Sequence, residues 1–284
     1  MRLAASQVIE RPPAEVFCGE MAATPGGSEV TSESRWEQEA ERWVRWARTP
    51  GHDAYWYYSP SFFDTVVPRP GRRTLEIGCG EGRVARDLAR LGHTVFALDT
   101  SPTLVRSAKA ADPAGRYLLA NAAWLPFPDA SFDLVVAYNS LMDVSDMPAV
   151  VGEAARVLQP GRHLCVSVTH PLSDAGRFAG EQPEAPFTIS GAYLGRRQFE
   201  GTFGRGGLQM TFHGWCYPLE DYARALEDAG LLIEVIREPS VSEAAVRQHP
   251  SWRRWQRLPM FLQLRAVKRE GDVRRGGHRR TTSG

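Results

Sequence analysis

Along this chain the apolar positions keep changing period. Between residues 74 and 169, short continuous apolar runs alternate with stretches of helical period. Thr74 to Gly78, Thr94 to Asp99, Tyr117 to Ala122, Phe132 to Asn139 and Arg162 to Thr169 read as strands. Gly82 to Leu91 reads as a helix with Val84, Leu88 and Leu91 on one face and Gly92 as its stop. Ser101-Pro102 opens a helix that runs to about Ala111. Asp146 and Pro148 open another, with Val151, Ala154 and Leu158 inward, and Pro160-Gly161 turns the chain into the next strand. Repeated alternation of strand and helix implies a parallel sheet covered on both faces.

The flanks carry other patterns. Residues 1–33 are broken by Pro12-Pro13 and Pro25-Gly26-Gly27 and read as a loose extension. Ser34 and Glu37 have capping-box spacing, and a helix from Arg35 to Arg48 would put Trp36, Ala40, Trp43, Val44 and Ala47 on one face. Six aromatics follow within residues 55–63, as either a hydrophobic cap or a substrate wall. After His170-Pro171 the rhythm breaks. FTISGAYLG and LQMTFHGW alternate like a hairpin or a pair of half-exposed strands, in an insertion over the site. Pro218 then opens a helix with Leu219, Tyr222 and Leu226 inward, stopped by Gly230. Leu231 to Arg237 and Met260 to Lys268 read as the last two strands, and the basic end as a disordered tail.

The chemistry gathers at LEIGCGEGR, Leu75 to Arg83. An apolar strand enters a turn with Gly78, Gly80 and Gly82 in alternate places, and a helix follows at once. The next strand ends in Asp99, an acid placed to hold ribose hydroxyls. The dinucleotide spacing G-x-G-x-x-G fails, because Arg83 stands where its third glycine belongs. Glu76 would repel a pyrophosphate at the helix start, whereas it suits a ligand bearing an ammonium group.

Composition narrows the setting. The chain has 284 residues, 43% of them hydrophobic, and a formal net charge of +1, so nothing global points to nucleic acid or a membrane surface. Cys18, Cys79, Cys165 and Cys216 are scattered without metal-ligand or disulfide-framework spacing and read as reduced thiols, with no metal expected. No apolar stretch is long enough to span a bilayer and no compact signal-peptide core stands at the N-terminus, so a cytoplasmic location is expected.

Glu76-x-Gly78-x-Gly80-x-Gly82, Asp99, ANAAWLPFPDASFDLVVAYN and LQPGR together resemble class I S-adenosylmethionine (SAM) methyltransferases. The match runs from Thr74 to Thr169 and resumes from Pro218 to Lys268. Two positions depart from the family pattern: Asn121 stands for an Asp, and Arg162 for the last glycine of the turn. The resemblance implies a Rossmann-like, doubly wound α/β sheet, mostly parallel with an antiparallel last strand, plus a helical N-terminal cap and a β-rich insertion. It divides the chain into a flexible extension (1–33), a cap helix with the aromatic segment (34–70), a SAM-binding core (71–170), a lid (171–216), the end of the core (217–268) and the tail (269–284). SAM as cofactor, leaving S-adenosylhomocysteine (SAH), would be held by Glu76, Gly78, Cys79, Gly80, Asp99, Thr100, Asn121, Ala122 and Asn139. Tyr55, Tyr57 and Trp215 are the expected substrate contacts, and His170, His213 and Tyr58 the candidate catalytic groups. The expected partner is a small, neutral aromatic acceptor of secondary-metabolism type, with an indole carbon, N or O as the methylated atom. A homodimer is admitted, and no nucleic acid or membrane partner is expected. A SAM-binding regulatory subunit without catalysis, or an enzyme acting on RNA or protein, stays open as an alternative.

Overall fold

The structure, a computed structural model, describes residues 32–69 and 73–270. The expected extension therefore lies almost wholly outside the described residues, as do Cys18 and most of the basic tail. In chain order the first elements are α1 (Ser32–Arg48), α2 (Tyr55–Thr65), β1 (Thr74–Ile77), α3 (Arg83–Arg90), β2 (Val95–Asp99), α4 (Pro102–Ala111) and β3 (Arg116–Leu119). There follow β4 (Phe132–Tyr138), α5 (Met147–Val157), β5 (Leu158–Thr169), α6 (Pro171–Asp174), β6 (Gly176–Phe178), β7 (Phe187–Ile189), β8 (Arg197–Arg205) and β9 (Leu208–Cys216). The chain ends with α7 (Leu219–Asp228), β10 (Leu231–Arg237), α8 (Glu243–Gln248), a 3-10 helix (Pro250–Gln256) and β11 (Phe261–Lys268).

Seven strands form one sheet in the order β10-β11-β5-β4-β1-β2-β3. β1 pairs in parallel with both β2 and β4, and β4 with β5. β11 runs antiparallel to both of its neighbours, β5 and β10, as expected for the last strand. The alternating side chains of β4 show why the sheet is two-faced. Val135 and Ala137 join the core under α5 and α7, while Leu134, Val136 and Tyr138 join the one under α2 and α3. Among the described residues, no helix is long and apolar enough to cross a membrane.

Several local expectations are corrected. α1 begins at Ser32, so Ser34 lies inside it and does not cap it. Glu37 reaches away from its own helix, accepting hydrogen bonds from the hydroxyl of Thr103 at 2.6 Å and from that of Ser101. Leu91 and Leu219 are exposed, each standing at a helix terminus where the backbone turns from the core. The Pro160-Gly161 turn is an irregularity inside β5: Phe132 pairs with Leu158, but Leu134 already pairs with His163. The two alternating runs do not pair with each other. β7 pairs with β6, and β9 with β8, so each finds its partner in the preceding stretch.

The β8–β9 hairpin lies against α1. Phe203 and Met210 pack with Trp46, and Trp36, Trp43, Phe199 and Phe212 surround them. The aromatic segment is a helix, α2, with Phe62 wholly buried, Tyr58 nearly so, and Trp56 exposed. A further cluster joins Tyr58 to Trp252, Trp255, Met260 and Phe261.

Candidate active site

One cavity of about 420 Å³ opens at the C-terminal ends of the parallel strands, where ligands sit in sheets of this kind. The glycine turn forms its floor at one end. Gly78, Gly80 and Gly82 have φ of 69°, 54° and 85°, all in the left-handed region, which explains glycine at alternate places. A Cβ at Gly78 would stand 2.5 Å from that of Ser140, and one at Gly80 would stand 3.0 Å from Nε1 of Trp43. The turn is thus a cradle with no room for side chains.

Two acids flank it. Asp99 accepts from the backbone N–H of Gly80 at 2.8 Å and of Ser101 at 2.9 Å, which fixes its carboxylate at the cavity wall. Glu76 is fully buried, and its Oε2 has no hydrogen-bond partner. Burial, followed by the neighbouring Asp99 and Glu81, pushes its carboxyl well above the usual range. An orphaned acid in a polar cradle fits a ligand that brings positive charge and hydrogen-bond donors.

The remaining expected cofactor residues, Cys79, Thr100, Asn121, Ala122 and Asn139, also line the cavity. Asn121 Oδ1 already accepts from Ala123 N at 2.9 Å, which leaves its second lone pair and its amide N–H groups for a ligand. Asn139 directly follows β4 with φ of 51°, a left-handed conformation that asparagine tolerates. Ser167 donates to its Oδ1 at 2.7 Å and holds the side chain at the strand end.

Arg83, noted in the sequence only for breaking a fingerprint, is a clamp. It pairs with Asp53 at 2.7 Å and lies over the rings of Tyr55 at 4.1 Å and Trp43 at 5.1 Å. It ties the first turn of α3 to both cap helices. Arg48 adds a second tie, from α1 to Glu81 at 2.8 Å.

The other end of the cavity is aromatic. Tyr55, Tyr57, Tyr58, Trp215, Trp252, Trp255 and Phe261 line it. Trp252 and Trp255 come from the 3-10 helix, which has no amphipathic period and gave no signal in the sequence. Tyr57 donates to the carbonyl of Gly51 at 3.1 Å and meets Trp252 edge-on at 4.6 Å. The Tyr58 hydroxyl is buried without a partner, and burial raises its pKa, so it stays protonated.

The two candidate histidines part company. His213 lines the cavity from β9, with Nδ1 3.4 Å from Glu200. Burial lowers its pKa against the pull of Glu200. His170 does not line the cavity. Its Nδ1 accepts from Leu172 N at 3.1 Å and caps α6, and its Nε2 lies 2.9 Å from Glu238. The structure gives it the role of fixing the Pro171 turn, so the catalytic assignment is corrected.

Asp174, unremarked in the sequence, lines the cavity at the end of α6. Burial pushes its carboxyl up to about 7, against hydrogen bonding from Thr169 and the charge of Arg197. A carboxyl that holds its proton more tightly when folded stabilises the fold at low pH and loses that contribution as pH rises toward 7. Asp174→Asn is therefore expected to gain stability over the parent on going from pH 5 to pH 8, by up to about 3 kcal/mol. Denaturant melts at the two pH values check this, and an equal difference at both would refute it.

Residues 75–166 match the family described as "Methyltransferase domain". A solved SAM-dependent methyltransferase from Mesorhizobium loti superposes with a TM-score of 0.61 at 26% identity, over 76% of this chain and 98% of that one. This stretch of the core is a methyltransferase domain of the class I SAM-dependent type. SAM is the cofactor of this family, and the cradle, Asp99 and the orphaned Glu76 fit it. Curated relatives include a demethylmenaquinone methyltransferase of Beutenbergia cavernae, 35% identical over 41% of this chain and 48% of that protein. Another is the nocamycin O-methyltransferase of Saccharothrix syringae, 41% identical over 38% of this chain and 41% of that protein. The chain thus spans less than half the length of these curated relatives. Among the described residues, no group of three or more His, Cys, Asp or Glu side chains is arranged to hold a metal ion.

Proposed function

We propose that this methyltransferase moves the methyl group of SAM to a small aromatic acceptor. The observation that carries the proposal is the joining of a glycine cradle and an aromatic chamber in one cavity. When bound, SAM supplies a methyl group activated on a sulfonium. Gly78, Gly80, Asp99 and Glu76 hold the cofactor, with Thr100, Asn121, Ala122 and Asn139 along its length. α1 and the β8–β9 hairpin exclude water, and the aromatic rings align the acceptor, which is the main protein contribution to an in-line displacement. His213 is the candidate to take a proton from an N–H or O–H, since its lowered pKa leaves it neutral near pH 7. The demethylmenaquinone and nocamycin methyltransferases among the relatives support a small-molecule acceptor. The test is mass spectrometry of products after incubating the full chain with SAM and a panel of indoles, phenols and amines. A methylated product supports the proposal, and a panel that stays unmethylated while RNA or protein is labelled overturns it.

The wall can be tested separately. Tyr57→Ala is expected to raise acceptor KM or lower turnover about tenfold, on the scale of one lost ring contact. SAH affinity measured by calorimetry should stay within about threefold. A tenfold loss of SAH affinity with unchanged acceptor kinetics would place Tyr57 at the cofactor end.

A further inference from the structure

The chamber contains a buried carboxyl without an ion-pair partner among the described residues. The Asp174 carboxylate takes one hydrogen bond, from the Thr169 hydroxyl at 2.8 Å, and makes no ion pair among the described residues. Arg197 is the cation beside it, but its NH2 donates to the main-chain carbonyl of Asp174 at 3.1 Å. A second buried carboxyl, Asp143, stands on the same wall, with Oδ1 2.8 Å from where a Cβ of Gly214 would be. Both carboxylates act electrostatically on Tyr222, whose buried hydroxyl has no hydrogen-bond partner. Fold geometry brings rings to the same place. Thr169 pairs with Phe261 across β5 and β11, and Tyr58 packs edge-on against Phe261 at 5.0 Å. On the opposite side, Arg197 pairs with Cys216 in the hairpin, next to Trp215.

Acids and aromatic faces in a dry chamber favour one kind of guest. A neutral ring would fill the aromatic part and leave Asp174 without a counter-charge, whereas a carboxylate or phosphate placed beside Asp174 and Asp143 would be repelled. An ammonium group meets a counter-ion and ring faces together. Resting on the methyltransferase function proposed above, we propose that the acceptor is an aromatic compound carrying an ammonium group, with Asp174 as its counter-ion. The neutral acceptor expected from the aromatic residues alone gives way to a cationic one. Burial pushes the Asp174 carboxyl up to about 7, and a cation bound beside it favours the ionised form.

The test compares guests that differ in that one charge. The full chain is loaded with SAH and titrated by calorimetry with tryptamine and tyramine, then with their neutral alcohol counterparts, tryptophol and tyrosol. At least one amine is expected to bind about tenfold or more tightly than its alcohol. In Asp174→Asn that preference should shrink to within about threefold, with SAH affinity unchanged within the same factor. Asp143→Asn is a second variant, expected to weaken the preference less. Alcohols binding as tightly as amines, an undiminished preference in Asp174→Asn, or no amine binding up to ~5 mM in SAH-loaded protein would each overturn the proposal. Failure of SAH itself to bind would overturn the methyltransferase function and this acceptor class together. The wild-type comparison decides even if a variant does not fold.

Discussion

Gly78→Ala is expected to lose about 2–5 kcal/mol of folding stability, as a backbone penalty plus a collision. The left-handed conformation at Gly78 costs a residue with a Cβ about 1–2 kcal/mol. The new methyl would also stand 2.5 Å from the Ser140 Cβ, and that side chain cannot swing away freely. Its hydroxyl donates to the carbonyl of Ile77 at 2.8 Å, in the strand that leads into the turn. The collision therefore pushes β1 and the loop after β4 apart, at a further cost of about 1–3 kcal/mol. Thermal melts should fall by roughly 5–15 °C. Adding Ser140→Gly removes one side of the contact and should recover part of the loss, leaving the backbone penalty. A Gly78→Ala protein that melts like the parent would mean the turn has another accessible shape.

Asp99→Ala is expected to weaken SAM and SAH binding by about 2–3 kcal/mol, or about 30- to 150-fold. Two losses add. The carboxylate would no longer accept from ribose hydroxyls, and the N–H groups of Gly80 and Ser101 would lose the acceptor that positions the cradle. Asp99→Asn separates them. Its amide oxygen keeps an acceptor for one N–H, but its other side becomes a donor facing donors. An affinity loss in the asparagine variant close to that in alanine would assign the energy to the charge. Unchanged calorimetry in both variants would remove Asp99 from the cofactor site.

The sheet and the cradle were legible because their signals are local. Strand period, alternate glycines and a terminal acid each lie within a few residues, and physical constraint acts at that same range. Other features depend on contacts far along the chain. Trp252 and Trp255 sit in a 3-10 stretch whose sequence, HPSWRRWQ, has no amphipathic period, so nothing marked them as cavity lining. Asp174 looks like any loop acid until Thr169, Arg197 and the hairpin enclose it. His170 misled for the converse reason. It stands at the favoured end of β5, but its ring is consumed by the turn and by Glu238, 68 residues away. Arg83 was legible only as a missing glycine. The partners of β7 and β9 stayed open because alternation reveals a half-exposed strand without naming its partner.

The clamp at Arg83 joins both cap helices into one cover over the cavity. The same two helices cover the glycine cradle and supply the acceptor wall, since Trp43 lies over Gly80 while Tyr57 and Tyr58 line the chamber. A cofactor seated in the cradle and a guest seated in the chamber therefore press on one shared cover. Each ligand then alters the affinity of the other by an identical factor, as reciprocity demands of any two ligands acting on a common body. The two sites of such a molecule are heterotropically coupled, occupancy of one being felt at the other through the cover they share.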